Sequence, residues 1–374
     1  MFQSVMSSNN MMVAPHWLAS QVGSDIMRSG GNAIEAMIAS AAVISVVYPH
    51  MNSLGGDNFW LIVDKKKNVR AIEATGNAGK NVTAEFYKKK GLTSIPSRGP
   101  LAALTVPAAV SGWEKAFVFS QEKLEGKKSL EELLEPAKFI SSKGFAVTKT
   151  LEKNLQVKKH ELKNLKEFEK KYYKEELIVG DLLKFPEMSE TFKSLIENGL
   201  RDFYEGSLAK RILSDLSKTT SPLVKEDFVD YEASFINPLS ISLKNACIYN
   251  LPPPTQGIAS LLIHGIIDKN PQIYNNESQF IHYLVEATKI AFRIRDAHVT
   301  DQRYMTLKIE KFLKNENIEE LSNEIDFKKA KPWSIDNKLG DTVWLGSIDQ
   351  YGNAVSFIQS IYWEFGSGIF LPET

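Results

Sequence analysis

Fifteen consecutive residues, Ala33 to Val47, are apolar on nearly every side of the helix they would form, and this constrains the chain more than any other stretch. Asn32 stands where an N-cap belongs and Pro49 stops the run. A helix apolar all round cannot sit on a surface, so it must be a central helix enclosed by other elements. The chain before it, Val13 to Ser20, leads into an amphipathic helix running to about Arg28, closed by Ser29-Gly30-Gly31, where glycine supplies a left-handed cap. With 374 residues and 43% hydrophobic content, there is material for one large core or two modest ones. Long helices alternate with hairpin signals: Asn58 to Val63 and Val69 to Ala74 read as strands joined across Asp64-Lys65-Lys66-Lys67-Asn68.

A second hairpin lies near the end. Thr342 to Ile348 and Ala354 to Ile361 favour strand, and Asp349-Gln350-Tyr351-Gly352-Asn353 between them supplies turn geometry. Thr342 opens the first of these strands directly after Gly340-Asp341, where a chain that cuts itself would place its nucleophile. Threonine also favours strands for its branched Cβ, so spacing alone leaves a purely structural role open.

Composition narrows the partners. Lys+Arg and Asp+Glu both number 45, which gives no net pull toward nucleic acid or an acidic membrane and points to a small-molecule partner. Cys247 is the only cysteine, so neither an internal disulfide nor a thiolate-rich metal site can form. Its setting reads as a buried strand thiol. The N-terminal residues lack the basic patch and apolar core of a signal peptide, and no apolar run is long enough to span a bilayer, so a cytoplasmic location is expected. His282 and Glu286 have metal-ligand spacing on the long helix His282 to Ala297, but no His-Glu-x-x-His motif is present. Neither a metal nor a cofactor is expected. From Lys149 to Leu177, Lys and Glu are dense with leucines at helical spacing, as in solvated helices with i,i+4 ion pairs.

Several segments together resemble the γ-glutamyltransferase family: Ser29-Gly30-Gly31-Asn32-Ala33-Ile34-Glu35-Ala36, the stretch Tyr48 to Asp64, Thr105 to Trp113 with Pro107 expected in the first helical turn, Ser129 to Thr148, the Pro252-Pro253-Pro254-Thr255 turn, the helix carrying Glu286, Lys289 and Arg295, and above all Thr342 through Gly368 with its Phe365-Gly366-Ser367-Gly368. The resemblance runs from about residue 13 to residue 368. It implies a four-layer αββα sandwich of the N-terminal nucleophile hydrolase type, folded as a single intertwined domain over 1–374, with 1–341 like a large subunit and 342–374 like the start of a small one. It further implies cleavage between Asp341 and Thr342, Thr342 as nucleophile, and Ser360 as the hydroxyl that hydrogen-bonds the nucleophile's amine. A free α-amino group, with a pKa of about 7.7–8.0, suits the role of base for a threonine hydroxyl.

The chain also departs from the family's pattern. Ile72 stands where the family places the arginine that grips the substrate's α-carboxylate, and Tyr362 where it places an asparagine. Arg70, two residues from Ile72, is a candidate to compensate, and Arg98 reads as a loop residue. Thr255 takes the position of the family's serine near the substrate pocket. These departures imply a γ-glutamyl amide or, more in keeping with the lost arginine, another acyl amide such as a glutaryl amide. The family's oxyanion glycines and amino-group aspartate find no counterpart before Thr374, so a C-terminal small-subunit segment is the expected partner, and a non-catalytic scaffold is the alternative. The two strands after Thr342 are also expected to leave an open apolar sheet edge.

Overall fold

The computed structural model describes residues 4–333 and 342–374. In chain order the elements are β1 (Met11–Val13), α1 (Trp17–Arg28), α2 (Ala33–Val47), β2 (Asp57–Val63), β3 (Val69–Ala74), α3 (Ala84–Lys89), α4 (Ala109–Lys123), α5 (Leu130–Lys143), β4 (Phe145–Ala146), α6 (Lys149–Leu162), α7 (Lys166–Tyr172), β5 (Leu182–Leu183), α8 (Pro186–Asn198), α9 (Ser207–Ser217), α10 (Lys225–Val229), β6 (Ser234–Ile236), β7 (Leu239–Ser242), β8 (Cys247–Asn250), α11 (Gly257–Asp268), α12 (Glu277–His298), α13 (Asn315–Asn323), β9 (Val343–Ile348) and β10 (Ala354–Ser360). The chain divides into two compact units whose segments interleave along the sequence. One comprises residues 1–68, 72–234 and 340–374, and the other 69–71 and 235–339.

The first unit is organised as the apolar helix requires. Every residue of α2 is buried. Its start is fixed by a capping box: Asn32 accepts from the amides of Ile34 and Glu35, and Glu35 accepts from the amide of Asn32. Helix α1 crosses it closely, because a Cβ on Gly23 would lie 2.3 Å from Ser40 Oγ, which donates to the carbonyl of Ala19. Helix α4 starts at Ala109, so Pro107 precedes the helix rather than occupying its first turn. It is the carbonyl of Pro107 that accepts from the buried Tyr204 hydroxyl.

The principal sheet has the order β1-β9-β10-β2-β3-β6. Strand β10 pairs antiparallel with both β9 and β2, with Phe357 opposite Leu345 and Trp60, and Gln359 opposite Val343 and Asn58. Side chains alternate across the sheet. Asn58, Trp60, Ile62, Val343, Leu345, Val355, Phe357 and Gln359 face the helical side and are buried, in one core with α2 and α4. Strand β1 pairs with Gly346 to Ile348, so β9 is not the open edge expected from the sequence. The apolar surface lies instead on the opposite sheet face, where Val13, Trp344 and Ile348 are 46%, 50% and 54% exposed.

In the second unit, β7 and β8 form a two-stranded sheet, and Leu239, Ile241 and Ile318 share a core with α11 and α12. Cys247 is exposed rather than buried, because β8 pairs with β7 alone. His282 Nε2 contacts the carbonyl of Asp326, and Glu286 is bonded to Lys289 and the amide of Lys331. No cluster able to hold a metal occurs among the described residues. No described helix is long and apolar enough to cross a membrane.

Candidate active site

Thr342 immediately precedes β9 on the sheet face away from the helices, and its Oγ1 lies 3.0 Å from Ser360 Oγ at the end of β10. The β-ladder makes this pair: Gln359 faces Val343, so the next residue of β10 meets the preceding residue on the neighbouring strand. Ser360 Oγ also accepts from the amide of Tyr362, 2.9 Å away. On the other side of β10, Ser360 is in register with Asp57 of β2. Thr342, Ser360 and Asp57 therefore form one row across three adjacent strands.

Asp57 was not singled out from the sequence, although its two-residue offset from Phe59 and Leu61 places it on the same face. Burial pushes its carboxyl up to about 7, against the lowering effect of the Gly76 amide that donates to Oδ1 at 2.9 Å, and the nearby Glu73 charge raises it further. Glu73 accepts from Thr75 Oγ1 at 2.7 Å, and Tyr231 donates to the carbonyl of Thr75.

The substrate-side residues divide. Ile72 is wholly buried in the helical core with Ala74, which packs against α4 at Gly112, so it points away from Thr342 and offers no surface to a substrate. Its partly exposed neighbour Glu73 lies on the opposite face. Arg70 is exposed and belongs to the second unit, where it lines a cavity of about 400 Å³ with Phe235, Asn237, Pro252, Gln302 and Glu310. Thr255 also belongs to that unit, and its hydroxyl donates to the carbonyls of Leu251 and Pro252 and accepts from the amide of Gly257. Tyr362 follows the Ser360 pair directly and is 73% exposed with a positive φ of 79°. Asp341 lies outside the described residues.

Arg98 does more than its loop position suggested. Its Nε and Nη2 donate to Glu161 at 2.8 and 2.6 Å, and Nη1 donates to the carbonyls of Glu364 and Gly366. Its guanidinium also stacks over Trp363 at 4.5 Å. The segment it fastens includes Phe365 at φ 63°, a conformation that side-chain-bearing residues adopt only when their surroundings enforce it. Phe365 packs edge-on against Phe168 and Tyr172, and its amide donates to the carbonyl of His50. Burial holds the His50 ring neutral, its pKa pushed down to about 4 despite the opposing charge of Glu364, with His16 adding to the lowering.

A family model described as gamma-glutamyltranspeptidase matches residues 19–374. The chain belongs to that family. It is 42% identical over 380 residues to the oxamate amidohydrolase proenzyme of Klebsiella pneumoniae subsp. pneumoniae and 36% identical over 385 residues to the glutathione hydrolase-like YwrD proenzyme of Bacillus subtilis. Both alignments cover all of this chain and 71% of the relative. Among solved structures, cephalosporin acylase from Bacillus halodurans superposes with a TM-score of 0.86 at 29% identity, covering 100% of this chain and 70% of that one. The gamma-glutamyltranspeptidase of Pseudomonas nitroreducens gives 0.77 at 25% identity over 86% of this chain and 95% of that one. The mixed helix-and-sheet fold is therefore that of the N-terminal nucleophile hydrolases of this family, as the sequence implied, and the family's members are hydrolases and acyltransferases.

Proposed function

We propose that this chain is a proenzyme that cuts itself between Asp341 and Thr342, and that the freed Thr342 then attacks an amide whose acyl group lacks the γ-glutamyl head. The observation that carries the reading is the Thr342 Oγ1 to Ser360 Oγ contact of 3.0 Å at the start of a strand on the exposed sheet face. A threonine hydroxyl needs a partner within hydrogen-bond reach to become a nucleophile, and Ser360 is held to provide one by its own bond from the Tyr362 amide. After cleavage the new α-amino group sits on the same residue as the hydroxyl and acts as its base. The acyl group then passes to water or to an amine.

Two findings support a non-glutamyl substrate. Ile72 supplies no charge and is turned into the core, so no guanidinium from that position can grip an α-carboxylate. The oxamate amidohydrolase at 42% identity is named for a small amide that carries no amino acid head. Small carboxylated amides such as oxamate and glutaryl amides are the substrate class that follows. The chain spans 71% of each proenzyme, and in this reading further small-subunit residues of the kind those relatives carry complete the site.

Intact-mass measurement of wild type beside Thr342→Ala tests the processing step. Wild type is expected to yield fragments 1–341 and 342–374, and the variant to stay whole. Release of ammonia or aniline from oxamate, glutaryl anilide and γ-glutamyl anilide, with the C-terminal segment supplied, tests specificity. A wild type that stays intact in its presence, or a preference for the γ-glutamyl compound, refutes the corresponding half.

A further inference from the structure

The proposed processing raises a question that the mature enzyme's α-amine cannot answer. Before cleavage the nitrogen of Thr342 is part of a peptide bond and cannot accept a proton, so the hydroxyl needs another base. We infer that Asp57 fills this role, taking the Thr342 hydroxyl proton through Ser360 during self-cleavage. The inference rests on the processing reading above.

The geometry comes from the ladder. Asp57 and Ser360 are directly opposed on β2 and β10 and point to the same face as Thr342. Opposed side chains in an antiparallel pair have Cβ atoms about 4.5–5.5 Å apart, a span that one bridging water closes between the Ser360 hydroxyl and the Asp57 carboxyl. Asp57 Oδ1 is tied to the Gly76 amide, which fixes the carboxyl beside its strand. The groups that act on its carboxyl are Glu73 and the Gly76 amide, Ser360 stands opposite it in register on β10, and the phenol of Tyr231 is pushed up by burial and by the charges of Asp57 and Glu73 and stays neutral. Asp57 thus titrates near neutrality, where a base is most effective.

The step balances. As Thr342 Oγ1 bonds to the carbonyl carbon of Asp341, its proton moves to Ser360 Oγ while the Ser360 proton moves to the Asp57 carboxylate. When the C–N bond breaks, the same proton returns by that path to the leaving nitrogen, giving an ester and a free amine. Water then hydrolyses the ester, restoring the Thr342 hydroxyl and leaving a carboxyl at residue 341. Asp57 acts through Ser360 and not on the reacting carbonyl, so it is a positioning and relay residue.

The test follows cleavage by intact mass from pH 5 to 9 in wild type, Asp57→Asn and Thr342→Ala. The wild-type rate is expected to climb through about pH 7 and then level, as the carboxylate forms. Asp57→Asn, which keeps an oxygen for the Gly76 amide, is expected to cleave roughly 100-fold more slowly at pH 8 and to lose the rise with pH. A variant whose rate matches wild type, or whose profile keeps the same shape at a lower level, overturns the inference while leaving the processing reading intact. A wild type as uncut as Thr342→Ala removes both. Melting of the uncut Thr342→Ala and Thr342→Ala/Asp57→Asn chains separates the two failures. A raised folded pKa means that ionising Asp57 weakens the fold progressively from about pH 4 up to pH 7. The Asn variant is therefore expected to gain stability relative to its parent between pH 5 and 8, and a constant difference between them overturns the inference alone.

Discussion

The two faces of the six-stranded sheet carry similar residue types and use them in opposite ways. On the helical face, the side chain of Gln359 is fully buried and fully engaged: its Oε1 accepts from Trp113 Nε1 at 3.1 Å and Asn58 Nδ2 at 3.4 Å, and its Nε2 donates to Ser45 Oγ at 2.9 Å and Asn52 Oδ1 at 3.0 Å. One residue further along the same strand, Ser360 faces the other way and joins an exposed pair with Thr342. Buried polar groups are tolerated only when bonded, so the helical face spends its polar atoms on joining helices to strands. The opposite face keeps the Thr342 and Ser360 hydroxyls as an exposed pair that a substrate can reach. A one-residue step in a strand therefore separates scaffold from chemistry.

The sharpest way to break this contrast is Gln359→Leu. The substitution strands Trp113 Nε1 and Asn52 Oδ1, while Asn58 Nδ2 keeps the carbonyl of Ala109 and Ser45 Oγ that of Ala41, and each buried group left unbonded costs about 1–3 kcal/mol. With two groups left unbonded, a net loss of about 2–6 kcal/mol is expected in urea unfolding monitored by tryptophan fluorescence. A loss below about 1 kcal/mol would show that the network does not hold the two layers together.

A smaller and pH-dependent effect is expected at the clamp behind the site. Arg98→Met removes the pair with Glu161 and both carbonyl contacts to the Tyr362–Gly368 segment, at a cost of about 1–3 kcal/mol near neutral pH. Burial alone would raise the Glu161 pKa, but hydrogen bonding and charge from Arg98, with Lys158 and His160, hold it below its ordinary value of 4.5. A depressed folded pKa stabilises the fold above the unfolded value, and that stabilisation fades as pH falls through the folded one. The difference between wild type and Arg98→Met is therefore expected to narrow below pH 4.5, as read from urea midpoints at pH 3 and 7. A gap that stays the same at both pH values would mean that the Glu161 pair adds nothing to the clamp.

The sequence revealed what local patterns encode. The run from Ala33 to Val47 matches α2 to the residue, with Asn32 as its cap, and Val69 to Ala74 matches β3. The terminal hairpin and its five-residue turn were legible because Asp349, Gly352 and Asn353 form a self-contained turn: Asp349 Oδ1 accepts from the amides of Tyr351 and Asn353. What depends on partners distant in sequence was not legible. Which face Ile72 takes depends on the packing of β3 against α4, the exposure of Cys247 on whether a third strand covers β8, and the role of Arg98 on carbonyls more than 260 residues away. Asp57 became visible only when the ladder placed it beside Ser360.

The last and smallest effect on stability concerns the face opposite the helices. Trp344 lies flat across Gly346, where a Cβ would meet its ring at 2.7 Å, and its Nε1 donates to Ser356 Oγ at 2.9 Å. With Val13, Ile348 and the half-buried Phe59, Leu61 and Ile358, it forms an apolar surface on a sheet whose other side is core. A contiguous apolar patch of this kind on an exposed sheet face favours association. Trp344→Ser with Ile348→Thr removes the two most exposed members while leaving the helical face untouched. The pair is expected to change unfolding stability by no more than about 1 kcal/mol, because both side chains are half solvated already. It is also expected to convert a self-associating chain to a monomer in size-exclusion chromatography with light scattering, and to weaken capture of a co-expressed C-terminal segment. A wild-type chain that is monomeric at the same concentration would show that this face is stable in water without a cover, and the contrast between the two faces would then rest on chemistry alone.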